Sequence, residues 1–184
     1  MATEILIKTG STPIVWADES DYSDAASGLA RTHQIDLTSL GSGSARQGAK
    51  ADLGATRARV WVVSVCFEFA SAPTSLEVVD CFWSSSPSST AASANAGWAS
   101  GSDAAYLGSA SDSVGDSVHS LEYIGPMHVT SDGSGQPQYE AIGRLVDPMR
   151  YGQPVIFNKA STAFEGDAVE MYAALIPIVD EVQD

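Results

Sequence analysis

The sequence predicts an all-β fold, whether sandwich, jelly roll or barrel, and three observations carry that expectation. In RVWVVSVCFEF, residues 59–69, Trp61, Val63, Val65, Phe67 and Phe69 share one parity, while Val60, Val62, Ser64, Cys66 and Glu68 share the other. Period-two alternation of this kind makes a long strand with one apolar face and one mixed face. Short runs with the same habit, eight to ten of them, recur along the chain between Gly, Pro, Ser and Asp residues. Helical periodicity is almost absent. No period of about 20 to 50 residues recurs, which argues against a propeller or solenoid.

Taken in order, TEILIK (3–8) and PIVWA (13–17) read as opening strands, and THQIDLTSL (32–40) follows the acidic loop DESDYSD. Residues 59–69 lead through the turn Ala72-Pro73-Thr74-Ser75 into SLEVVDCFW (75–83), rich in β-branched and aromatic residues. These two strands read as an antiparallel hairpin. Its turn is centred midway between Cys66 and Cys81, so the hairpin sets the two cysteines opposite each other. A bridge is then geometrically open, but two cysteines without C-x-x-C spacing in a reducing cytosol favour free, buried thiols. VHSLEYI (118–124), MHVTS (127–131), YEAIGRLV (139–146) and PVIFNK (154–159) are further strands. In DAVEMYAALIPIV (167–179) Ala, Glu, Met and Leu favour helix, yet Val169, Met171, Ala173 and Leu175 alternate, and a strand fits its neighbours.

Between these strands lies SSSPSSTAASANAGWASGSDAAYLGSASDSVGDS (84–117), where 24 of 34 residues are Ser, Ala or Gly, with Trp98 and Tyr106 inside. A linker would have this composition. Because strands bracket it, we read it as a long extended insertion in a single domain spanning 1–184.

Charge narrows the function. The formal net charge is −14, and from Val60 to Gly143 there is no Lys or Arg against nine acidic residues. A protein that tracks phosphates needs clustered positive charge, so nucleic acid is not an expected partner. Four basic residues, Arg46, Lys50, Arg57 and Arg59, fall within 14 positions and could meet an acidic neighbouring surface or simply solvent. No apolar run approaches the roughly 18–20 residues that span a bilayer. The N-terminus lacks a secretory signal pattern, so the chain is expected to remain in the cytosol or assemble there.

Catalytic and metal motifs are missing from the sequence. GWASG has the wrong spacing for a nucleophile elbow. His33, His119 and His128 read as packed or surface strand residues. Asp18, Asp21 and Asp24 recur in one loop without EF-hand spacing, and acidic pairs such as Glu165/Asp167 and Asp180/Glu181 read as surface carboxylates. The expectation is a protein without enzyme activity, cofactor or metal.

Three strings together carry a resemblance: GSARQGAKADLGATRARVWVVSVCFEF, GSDAAYLGSASDSVGDSVHSLEYIG and RYGQPVIFNKASTAFEGDAVEMYAALIPIVDEVQD. They resemble tailed-bacteriophage virion structural proteins of the capsid decoration or cement type, from about residue 41 onward. The resemblance implies an antiparallel β-sandwich, jelly-roll-like, that binds the major capsid protein on the outer capsid surface of the virion and forms a homo-oligomer, dimer or trimer. It equally admits a tail, collar or head-fibre role. The residues expected to meet partners are Arg46, Lys50, Arg57, Trp98, Tyr106, Arg150 and Tyr151. For Trp98 two placements are open, as an anchor in a partner's pocket or as a lid folded over the domain's own core. A carbohydrate-binding sandwich is the alternative from another class, and it requires an exposed aromatic platform from Trp16, Trp83 or Trp98.

Overall fold

The computed structural model describes residues 12–178; the expected strand at 3–8 and the Asp180/Glu181 pair lie outside them. In chain order the elements are β1 (Ile14–Ala17), α1 (Asp24–Ser27), β2 (His33–Gln34), β3 (Ala45–Gln47), β4 (Ala51–Asp52) and β5 (Val60–Phe67). There follow β6 (Val78–Ser86), β7 (Ala104–Ala105), α2 (Val114–Ser117), β8 (Glu122–His128), β9 (Gln138–Val146), β10 (Tyr151–Asn158) and β11 (Tyr172–Pro177). Single 3-10 turns occupy Ala96–Trp98 and Val118–Ser120. The all-β sandwich is what the alternation predicts.

Two sheets form. One runs β2-β1-β11-β5-β9, and the other runs β7-β3-β10-β6-β8, with β4 also on β10. All pairings are antiparallel except β1 with β2. Trp61, Val63, Val65, Phe67 and Phe69, the apolar parity of the sequence, all enter the core between the sheets. Facing them are Val79, Cys81, Trp83, Met127 and Ile156, with Trp16 and Trp83 meeting edge to face at 5.7 Å.

The expected hairpin of β5 and β6 does not form. β5 pairs with β11 and β9, whereas β6 pairs with β10 and β8, so the connection is an arch between sheets. The physical reason lies in the side chains. Each strand has a full apolar face, and stacking the two faces buries both, whereas pairing the strands edge to edge would bury neither against the other. Cys66 therefore lies under the outer layer of one sheet, among Val15, Ala17 and Tyr172, and Cys81 lies in the central core. Both are free, buried thiols.

Other boundaries shift. THQIDLTSL contributes only His33 and Gln34 to a ladder, while Ile35 and Leu37 drop into the core. Residues 118–120 form a turn, and the strand begins at Glu122 and runs on through Gly125 and Pro126 to His128. Pro126 is tolerated because β8 is an edge strand. Residues 167–179 do yield a strand, β11.

The 84–117 segment is not an extended loop. Residues 84–86 complete β6, and the remainder folds back onto the outer face of that sheet. Ala99, Tyr106, Val118 and Leu121 pack there on Ala45, Phe82 and Val155. Phe82 sits between Cys81 and Trp83 in sequence, so β6 is apolar on both faces, and the insertion is what covers the second.

Candidate partner-binding face

The insertion is held by an internal network. The Lys50 ammonium donates to the backbone carbonyls of Thr90 (2.7 Å), Ser88 (3.1 Å) and Ser93 (3.1 Å) and to Ser86 Oγ (3.0 Å). Partial burial lowers its pKa. Arg46 donates through Nε to Asp103 Oδ1 at 2.6 Å, with Asp36 at 3.9 Å, and the Asp103 bond raises its pKa. Buried Gln47 accepts from the Ser100 amide (2.7 Å) and donates to the Ala105 carbonyl (3.3 Å). Tyr106 is 1% exposed, and its hydroxyl donates to the Gly97 carbonyl at 2.6 Å. Burial pushes that phenol up to about 12. Arg46, Lys50 and Tyr106, expected to meet a partner, are thus engaged within their own chain.

Trp98 is the exception. Its side chain is 59% exposed, so of the two placements left open the outward one is adopted. The turn that carries it has positive φ at both Gly97 (62°) and Trp98 (59°). A left-handed backbone at a bulky aromatic costs about 1–2 kcal/mol, so neighbours must over-determine it. They do: Asn95 Nδ2 donates to the carbonyls of Ala91 and Ala99, both at 2.7 Å, and Ser84 Oγ donates to that of Ala96, also at 2.7 Å. Only glycine serves at position 97, where an added Cβ would lie 2.3 Å from Leu121 Cδ2.

Beside this turn a groove of about 330 Å³ is lined by Asp80, Phe82, Val118, His119, Leu121 and Tyr123. The Phe82 and Tyr123 rings meet at 5.2 Å. Asp80 accepts from the Tyr123 hydroxyl (3.0 Å) and from Lys159 Nζ (2.9 Å). Burial first, then the Asp80 carboxylate, pushes the Tyr123 phenol up to about 12. Sequence reasoning did not single out these residues apart from His119, expected on a strand and found in the 118–120 turn. The two-sided apolar pattern around Phe82 is the signal that could have.

Arg57, Arg150 and Tyr151 lie elsewhere, where the β4–β5 and β9–β10 connections meet. Arg57 Nε donates to the Pro148 carbonyl at 2.8 Å. Arg59 grips Asp147 at 3.0 and 3.2 Å, and Arg150 grips Asp52 with two bonds of 2.8 Å while lying over the Tyr151 ring. The guanidinium of Arg150 lowers the pKa of Asp52, and that of Arg59 lowers the pKa of Asp147. Tyr151 opens β10. The residues expected to meet partners are therefore divided between two regions.

A buried carboxyl is the remaining polar feature. Glu68 is 3% exposed, with Oε1 lacking a hydrogen-bond partner. Burial, then Glu170, Asp167 and Glu165, push its pKa up to about 8. Among the described residues no group of three His, Cys, Asp or Glu could hold a metal ion, and no helix is long and apolar enough to cross a membrane. Asp18 is instead a turn-former, accepting from the Ser20 and Asp21 amides at 2.7 and 3.1 Å.

Trp16 and Trp83 are buried in the core, which leaves Trp98 as the single exposed indole of the three candidates for an aromatic platform. Comparison with protein-family models, with curated proteins and with solved structures finds no match for this chain.

Proposed function

We propose that the protein is a non-enzymatic capsid decoration (cement) protein of a tailed bacteriophage, binding the shell of the major capsid protein on its outer surface. The observation that carries this reading is Trp98, a large aromatic held in solvent on a strained, heavily braced turn. An exposed aromatic on a backbone that the fold braces in advance suits an interface hot spot, because little backbone entropy remains to be lost on docking. The resemblance in sequence supplies the capsid.

The strand order supports the finer reading of a jelly roll. Counting β1, β3, β5, β6, β8, β9, β10 and β11 as first to eighth, the sheets run 1-8-3-6 and 2-7-4-5. The chain thus crosses between sheets as in a jelly roll of two Greek keys. A dimer or trimer belongs to the same proposal and is read from the mass of the purified protein.

The test is sedimentation with assembled shells. The protein is expected to pellet with shells at fixed stoichiometry. Trp98→Ala should weaken binding by about 2 kcal/mol, roughly 30-fold, with an unchanged melting temperature. Absence from shells, with copies seen on the tail by electron microscopy, would overturn the decoration role in favour of a tail, collar or fibre component.

A further inference from the structure

We propose that Glu68 and Glu170 share one proton and so form a latch, closed at neutral pH and open in alkali, that holds the 165–170 connection against the end of β5. The latch is independent of the capsid role.

The backbone brings the two carboxyls together. Past the end of β5, the Ala70 amide donates to the Ala163 carbonyl, Phe69 bridges to Phe164, and the Glu165 amide donates to the Glu68 carbonyl at 3.0 Å. The chain then arcs away and returns into β11. There Tyr172 pairs with Cys66, and continuing that register by two residues sets Glu170 opposite Glu68. Both ends of the arc thus meet at Glu68. Residues directly opposite on an antiparallel pair share a face, where two negative charges repel.

Burial sharpens that conflict. Glu68 is buried, its Oε1 meets no donor from the rest of the protein, and its hydrogen-bonding neighbour is the Glu170 carboxyl. Two carboxylates have no hydrogen between them, so one proton on the pair supplies the missing donor. The other titratable groups around the pair are Asp167 and Glu165 on the arc, Cys66 on β5, Tyr139 on β9, and Tyr172 and Tyr22 beside Cys66. All are acidic, so none offsets a second negative charge. Burial first, then Glu170, pushes the Glu68 carboxyl up to about 8. The latch is therefore complete well below that pH and is lost as pH rises through it, when solvent base takes the proton. The Val169 carbonyl accepts from the Ser23 amide at 2.8 Å, so release of the arc also loosens the 18–24 loop. Phe164, stacked on Phe67 at 5.0 Å, anchors the near end in the core.

The test uses the intact chain in millisecond hydrogen exchange at about pH 6.5 and 9.5, with labelling times scaled for the faster chemistry in base. Peptides covering residues 166–171 should lose protection about tenfold or more at the higher pH, while those of β10 hold theirs. Glu68→Gln should keep the arc protected there, because its amide donates to the Glu170 carboxylate and has no proton to lose. Glu170→Gln should do the same from the other side. Carboxyl carbon NMR of the unaltered chain needs no variant: the Glu68 and Glu170 signals should move together through one transition near about pH 8. Equal arc protection at both pH values, a loss shared equally by β10, or a loss undiminished in both Gln variants would each overturn the latch. So would a Glu68 carboxyl that titrates near its ordinary 4.5.

Discussion

At Lys50 one ammonium replaces what would otherwise be several waters, gathering three carbonyls and a hydroxyl from residues 86–93. In the sequence it reads as one of four clustered basic residues available to an outside surface. In the fold it is a staple, holding a carbonyl-lined turn in a segment of Ser and Ala that carries no Lys or Arg of its own. Lys50→Met should cost about 1–2 kcal/mol, the scale of charge-assisted hydrogen bonds partly replaced by water. Amide exchange should quicken across residues 86–95 while β5 and β10 keep their protection. Unchanged exchange there would refute the staple. Lys50→Arg should not restore protection, since a planar guanidinium cannot point donors at carbonyls converging from several sides.

Two edge strands, β8 and β9, show how the elements close the sandwich. Each carries a bulge, the β6–β8 register shifting at Ile124 and the β5–β9 register at Ile142. The next residue is glycine in both cases. A Cβ on Gly125 would lie 2.3 Å from the Ile142 carbonyl oxygen, and one on Gly143 would lie 2.6 Å from that of Ile124. The bulges bend each edge toward the other sheet, and the glycines let the two backbones touch, which blunts edges that could otherwise recruit strands. β2 and β7, at the far side, are two residues each. Gly125→Ala should destabilise by about 1–3 kcal/mol in denaturant unfolding, since backbone must move. Gly133→Ala, with nothing within 4 Å, is the near-neutral control. Equal stabilities for the two variants would refute the close approach.

Over the whole molecule, acidity sets the pH response. Glu68 carries a folded-state pKa raised to about 8 from an ordinary value of 4.5. Its neutral form is favoured by the fold, so its contribution is fully present below about pH 4.5 and is lost as pH rises through about 8. Asp52 and Asp147 have lowered values and act with the opposite sign, losing their contribution as pH falls through their folded-state pKa values; both are exposed and contribute little. Stability should therefore decline from pH 5 to 8.5. Glu68→Gln should flatten that decline, because the amide has no proton to lose. A parallel slope in the variant would assign the pH response to general repulsion among the carboxylates instead.

The period-two pattern of residues 59–69 determined the core face of β5 unaided, because alternation translates directly into which side chains point inward. The same reasoning placed a strand, β11, within residues 167–179. Pairing was not legible. Whether β5 lies beside β6 or against it depends on which apolar faces stack, and that involves β9, β10 and β11, distant in sequence. Nor could composition say that a Ser-Ala-Gly tract would pack on Phe82 and Val155, since the packing depends on Tyr106 and Leu121 meeting a sheet built from other segments. The candidate site divided along the same line. Trp98 was visible as a large aromatic among small residues, but its outward direction was decided by the brace of Ser84, Asn95 and Tyr106. The roles of Arg46 and Lys50 were decided by hydrogen-bond acceptors 36 or more positions away. Local pattern settles a residue's face; the partner across that face is settled only when distant strands come together.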